Sequence, residues 1–198
     1  MKMLYRWLMQ ASRQAGQVSL LWLANAIPIS HFGWSTEFKN ALLRLASVRV
    51  GRPVFIDHGF RCICPSNITI ESRVSLGHDN HIWAFTPVWI GHHTITAKDL
   101  LIISASHDNA TFEPLPGQEV EIGPGCWIGA RVTILGGVRI GKGCIIGAGS
   151  LVRNAVPDWS IAAGVPAKVI RQREPAERIW NHFGYYSRAE LERSSDGG

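Results

Sequence analysis

Eight histidines occur in this chain of 198 residues, and they are its side chains best suited to chemistry near neutral pH. An unperturbed imidazole titrates at about pH 6.5, so it can take up, release or ligate without much tuning. His78, His81, His92 and His93 fall close together, and His107 stands in a Ser106-His107-Asp108 triplet. Such a set could hold zinc, or one imidazole could act as a base. A lone histidine, taken by itself, is more often structural than catalytic. Covalent catalysis finds no support: neither Ser104 nor Ser106 has the strained elbow of a nucleophilic serine. Cys62, Cys64, Cys126 and Cys144 form no CxxC pair and no activating motif. They read as reduced, buried, small apolar residues of a cytoplasmic protein.

The elements that position these groups must come from one domain with trimmings. Hydrophobic residues make up 46% of the chain and charged ones only 18%, so a core is easily built and wholesale disorder is excluded. Twenty glycines and ten prolines imply many turns. The net charge of +5 suits an anionic ligand or a membrane surface. Its scattered distribution, without a recognition motif, argues against nucleic acid. The apolar stretch Val18 to Ile29 lacks a cleavage site, is interrupted by Asn25, and is shorter than the roughly 20 residues needed to span a bilayer.

A fixed period then decides the fold. Ile122, Ile128, Ile134, Ile140, Ile146 and Val152 recur at every sixth position. Glycine follows four of them, and small residues (Cys126, Val132, Val138, Cys144, Ser150, Val156) stand four places on. Period six cannot fit a helix of 3.6 residues per turn. It fits a short strand plus turn, with the aliphatic inward and glycine permitting a tight or positive-φ corner. Three units make one triangular coil of 18 residues, and coils stack as parallel strands about 4.8 Å apart. Cys126 then sits beneath Cys144 in matching interior slots, as thiols. Upstream the repeat continues with two-residue slips, through Val50–Ile56–Cys62–Ile68, Ile70–Leu76–Ile82–Val88 and Ile90–Thr96–Ile102. The polar segment 107–119, with two prolines, reads as a loop thrown out from the coil, and loops of this length are often functional.

The ends follow another rhythm. Leu4, Trp7, Leu8, Ala11, Ala15, Val18 and Trp22 recur at three and four, an amphipathic helix with Lys2, Arg6 and Arg13 opposite and Pro28 as its stop. A second helix from Ser35 to about Ser47 carries Phe38, Leu42, Leu43 and Leu45. Packing on the coil is the favoured expectation, and peripheral membrane contact is the alternative. Residues 174–193 read as a C-terminal helix opened by Glu174-Pro175, with Ile179, Trp180, Phe183 and Leu191 on its apolar side. The expected organisation is a helical segment 1–48, a β-helix 49–172 and a C-terminal helix and tail 173–198.

The segment 122–171, IGPGCWIGARVTILGGVRIGKGCIIGAGSLVRNAVPDWSIAAGVPAKVIR, resembles the C-terminal part of hexapeptide-repeat acetyltransferases, and VWIGHHTITAKDLLIISASHD at 88–108 matches as well. The likeness covers roughly residues 40–172 and is greatest to the branch linked to exopolysaccharide and colanic-acid synthesis. It implies a mainly β fold, a left-handed parallel β-helix. It also implies transfer of acetyl from acetyl-CoA to a hydroxyl of a sugar or saccharide, in a homotrimer with the site between subunits. His107 matches the family's catalytic base, which takes the hydroxyl proton and then protonates the departing thiolate. Its orienting partner is expected to be a backbone carbonyl, because Asp108 should point to the opposite face.

The resemblance places pantetheine beside Ala130 and Ala148, and Lys168 and Arg171 near the nucleotide phosphates. Arg153 matches a CoA-contacting position that is often threonine, and Trp127 matches the family's WIG tryptophan. Where relatives carry an acceptor-binding asparagine, this chain has Ala84; Asn80 is out of register, and Asp79 or Trp83 are the candidate substitutes. A γ-class carbonic anhydrase shares the fold with a zinc site. Its second histidine, five residues after the first, corresponds here to Phe112, so no metal is expected. The alternatives to a saccharide O-acetyltransferase are a non-catalytic scaffold at the membrane and an enzyme acting on a xenobiotic acceptor.

Overall fold

The computed structural model describes residues 16–27, 33–174 and 177–193. Its centre is a parallel β-solenoid of about six turns. Face A stacks β1 (Arg49–Val50), β4 (Ile68–Ile70), β7 (Val88–Ile90), β10 (Val120–Ile122) and β13 (Arg139–Ile140). Face B stacks β2 (Val54–Ile56), β5 (Val74–Leu76), β8 (Ile95–Thr96), β11 (Trp127–Ile128), β14 (Ile145–Ile146) and β16 (Ser160–Gly164). Face C stacks β3 (Arg61–Ile63), β6 (His81–Trp83), β9 (Leu101–Ile103), β12 (Thr133–Leu135) and β15 (Leu151–Val152). The aliphatics of the repeat fill the interior: Ile122, Ile128, Ile134, Ile140, Ile146 and Val152 are all buried in one continuous core. Cys126 and Cys144 are buried free thiols in it, as expected, but Cys62 is only half-buried and Cys64 is exposed where the chain leaves face C, so the reading of all four as buried fails for these two.

Two features of the chain explain the corners. Arg73, His93, Gly125, Gly143 and Trp159 at successive A/B corners all have positive φ. So do Gly59, Asp79, Asp99, Arg131 and Gly149 at the B/C corners. The left-handed residue turns its amide back toward the preceding coil, where it meets a corner carbonyl: Asp99 N–H donates to His78, Arg131 to Lys98 and Gly149 to Ala130, at 2.8–2.9 Å. Non-glycine residues bear a strain of about 1–2 kcal/mol there. The glycine directly after each aliphatic does something else. A Cβ on Gly123 would lie 2.7 Å from the backbone of Gly141, so close approach of the next coil, and not positive φ, demands it.

The slips of two residues have one address. Val50, Ile70 and Ile90 stack in register at intervals of 20 residues, whereas Ile122 and Ile140 are 18 apart. The extra residues lie between faces C and A, at 64–67 and 84–87, and the third C/A corner expands into the 107–119 loop.

The N-terminal helices close the first coil. Helix α1 (residues 16–26) and helix α2 (Trp34–Leu45) pack Ala24, Leu42 and Leu43 on Val48, Val50 and Val54. Their polar side chains serve carbonyls of the first coil that have no further coil to bond to. Asn25 donates to Phe60 O, Lys39 to Asp57 O, Asn40 to Val54 O, and Arg44 to Val50 O and Gly51 O, all at 2.6–2.9 Å. Capping, the favoured expectation, thus holds, but by an inverted face: Val18 and Trp22 of the expected apolar stripe are exposed, as are Phe38 and Leu45. Periodicity identified the helix without saying which side the solenoid needs. Leu4 to Ala15 of the expected first helix, its stop at Pro28, and Pro175 lie outside the described residues.

The C-terminal helix is shorter than its sequence suggests. After β17 (Ala167–Gln172) folds back antiparallel on β16, a hairpin of β18 (Arg178–Asn181) and β19 (Gly184–Ser187) precedes α3 (Arg188–Arg193). Gly184 at φ 113° and the Asn181 side chain, which accepts from the Phe183 amide at 2.9 Å, make the turn. Ile179, Trp180, Tyr185 and Tyr186 favour strand over helix.

Candidate active site

His107 stands exposed at the third C/A corner, where the chain leaves face C. Its Nδ1 lies 2.8 Å from the carbonyl oxygen of Phe112. A carbonyl can only accept, so Nδ1 carries the hydrogen and the lone pair resides on Nε2. The expected backbone partner is therefore present.

The loop is built to hold that carbonyl. Asp108 Oδ1 accepts from Ala110 N at 2.9 Å, Thr111 N at 2.8 Å and Thr111 Oγ1 at 3.1 Å. Asp108 N donates to Glu113 O and its carbonyl accepts from Phe112 N, both at 2.9 Å. The hydrogen bonds from Thr111 and Ala110 hold the Asp108 carboxyl below its usual range. Phe112 is left in the left-handed region at φ 56° with its carbonyl on the imidazole. Asp108 therefore shapes the turn that holds His107, a role its position in sequence concealed.

The other candidates divide between the two edges of face C. Trp83, at the end of β6, and Arg153, just past β15, share the C/A edge with His107. Asp79 lies at the B/C edge, two corners below Ala130, with Ala148 directly above Ala130 in the stack. A Cβ on Gly129 would lie 2.6 Å from Ala148 N, so this edge is a strip of glycine and alanine with backbone at its surface. Lys168 pairs with Ala163 at the top of that strip, and Arg171 pairs with Ile161 on face B. Both cations are exposed. Trp127 projects from face B, 55% exposed, beside a cavity of about 420 Å³ under the C-terminal hairpin. Within one chain, His107 and the small-residue strip lie on opposite edges of the same face.

The remaining histidines are dispersed. His78 Nε2 lies 2.9 Å from Asp57 Oδ2 at a B/C corner, and its ring stacks on His58. His92 and His93 face each other at an A/B corner, Nδ1 to Nδ1 at 2.7 Å. Burial, then His92 and Arg73, press the His93 imidazole down to about 4. Among the described residues no three histidine, cysteine or carboxylate side chains are grouped to hold a metal. Ala84 is completely buried, and Asn80 is buried too, joined to Thr96 Oγ1 and to Leu100 N. Neither offers an amide to an acceptor.

Comparison with known proteins agrees with this architecture. Residues 119–154 match the family described as bacterial transferase hexapeptide (six repeats). A probable acetyltransferase of Mycobacterium tuberculosis is 36% identical over 143 residues, 68% of this chain and 47% of that protein, so the chain spans about half of that relative's length. WcaF of Escherichia coli, provisionally named a colanic acid biosynthesis acetyltransferase, is 29% identical over 81% of this chain and 90% of its own. The crystal structure of a maltose O-acetyltransferase from Clostridium difficile superposes with a TM-score of 0.73 at 26% identity, over 84% of this chain and 89% of that one. Other solved members of the fold hold acetyl-CoA or coenzyme A. The stacked hexapeptide coil and these likenesses define the class. The chain belongs to the hexapeptide-repeat acetyltransferases.

Proposed function

We propose that this protein is an O-acetyltransferase that carries acetyl from acetyl-CoA to a hydroxyl of a sugar or saccharide, in the synthesis of cell-surface polysaccharide. The observation that carries the reading is the His107–Phe112 hydrogen bond, which holds the hydrogen on Nδ1 and leaves the lone pair of Nε2, on an exposed ring, free to act as the base. Nε2 takes the acceptor's proton as its oxygen attacks the thioester carbon. The C–S bond of the tetrahedral adduct then breaks, and the imidazolium returns the proton to the CoA thiolate. No enzyme-bound acyl group forms, and no metal takes part.

The glycine–alanine strip suits pantetheine, whose amides can approach backbone groups there. Lys168 and Arg171 meet the nucleotide phosphates, and Trp127 and Arg153 complete the CoA contacts. Because base and strip occupy opposite edges of face C, a complete site needs two copies side by side, and a homotrimer supplies three such sites. Asp79 and Trp83 take the acceptor in place of the asparagine that Ala84 replaces. The saccharide class is supported by the names of the colanic acid and maltose relatives. A cytoplasmic location, where acetyl-CoA is made, follows from the donor.

The test is release of free thiol from acetyl-CoA by the full chain with a panel of mono- and oligosaccharides, amines and antibiotics. Thiol release that depends on a saccharide is the expected result. Turnover only with an amine or antibiotic would reassign the acceptor. Absence of CoA binding by calorimetry would leave a scaffold and end the enzyme reading.

A further inference from the structure

Helix α2 is turned inside out. Ser35, Thr36, Lys39 and Asn40 are buried against the first coil, while Trp34 is 82%, Phe38 53% and Leu45 69% exposed. Trp34, Phe38, Ala41 and Leu45 fall within about 60° of one another at 3.6 residues per turn. They make a continuous apolar stripe on the side away from the solenoid. The cause lies in the open edge of the first coil, whose carbonyls take the donors of Asn25, Lys39, Asn40 and Arg44. That demand explains the polar inner face. It does not explain an apolar outer one, which any hydrophilic residues would satisfy. Helix α1 differs on its inner side, where Leu20, Leu21 and Ala24 pack on the core, but it too leaves Val18 and Trp22 outward, at 65% and 71% exposure.

The N-terminal sequence carries an excess of cations. The first 36 residues contain Lys2, Arg6 and Arg13 and no carboxylate side chain. The first carboxylate, Glu37, lies 3.8 Å from both Arg44 and Arg52. No described helix is long and apolar enough to cross a membrane. Two exposed tryptophans, a phenylalanine and aliphatics, in a stretch of sequence with an excess of cations, are the composition of a surface that lies in a lipid interface.

We propose that the α1–α2 cap docks on an anionic lipid surface, with Trp22, Trp34 and Phe38 inserted at headgroup level and the solenoid held away from it. The end of the molecule that binds lipid is thus separate from the looped corner that carries His107.

The test is co-sedimentation of the full chain with phosphatidylcholine vesicles with and without phosphatidylglycerol, at low and high salt. The comparison is a double variant, Trp34→Ser with Phe38→Ser, whose sites are exposed and whose fold is checked by circular dichroism. Salt-sensitive binding to the phosphatidylglycerol vesicles, weakened roughly tenfold or more in the variant, is expected. A wild-type chain that stays in the supernatant overturns the proposal, and so does a variant that binds equally well. A variant that instead lowers the oligomeric state without changing lipid binding makes the stripe a contact between copies and also overturns it. Thiol release from acetyl-CoA, measured without vesicles, should be unchanged in the variant, so failure here is distinct from failure of the enzyme reading.

Discussion

His107 donates its Nδ1 hydrogen to the carbonyl of Phe112 across five residues of loop, at 2.8 Å. Five positions after the histidine, where a zinc-binding relative would present a second imidazole, this chain presents a peptide oxygen. That oxygen accepts the Nδ1 hydrogen bond and leaves the ring's lone pair on Nε2.

Asp108 maintains this arrangement through the turn it closes, so its removal should act through His107. Asp108→Ala is expected to lower kcat roughly 10- to 100-fold, as misplacement of a catalytic group does, with little change in KM for acetyl-CoA. Asp108→Asn keeps the accepting oxygen and should recover most of the rate. Equal loss in both variants would contradict a positioning role. Because its carboxyl is held below the ordinary range, the stabilisation is present above the unfolded pKa and is lost only as pH falls through the lower folded value. Amide exchange in loop 107–119 should stay protected until that acidic limit.

Ala148 is exposed on the glycine–alanine strip, so a large side chain there should block the groove and spare the fold. Ala148→Trp is expected to raise KM for acetyl-CoA by roughly tenfold or more, about 1.4 kcal/mol of lost binding. Steady-state kinetics with a circular dichroism control decide it, and an unchanged KM would move CoA elsewhere.

Lys39 gives the cap a pH signature. It is 1% exposed, donates to Asp57 O, and burial, opposed by Asp57, presses its ammonium down to about 8. The unfolded chain therefore binds the proton more tightly between pH 8 and 10.5. Stability should rise with pH across that window, by on the order of 3 kcal/mol from this group alone. Denaturant titrations at about pH 7.5, 9 and 10.5 test it, and Lys39→Met should flatten the slope.

The solenoid was legible because its signal is periodic and its cause local. An aliphatic at every sixth place must be buried, and Ile122 to Val152 are. The two-residue slips were legible as slips, but their collection at the C/A corner depends on which strands pair. The orientation of α1 and α2 was not legible, since an amphipathic pattern names two faces and the unpaired carbonyls of a distant coil chose between them. The hairpin at 178–187 was obscured by apolar residues at helical spacing, although Gly184 and the tyrosines pointed to strand. Of the site, His107 and the pairing of Ala130 with Ala148 followed from motif and register. The Phe112 carbonyl did not, because a backbone atom leaves no mark in a side-chain sequence.

The most direct test of the account is the turnover of His107→Ala with acetyl-CoA and a saccharide acceptor, beside its circular dichroism spectrum and CoA affinity. A folded variant that binds CoA normally and turns over roughly 10²–10⁴-fold more slowly is the predicted result. A variant that turns over at the wild-type rate would contradict the account, because no other imidazole stands at that corner among the described residues.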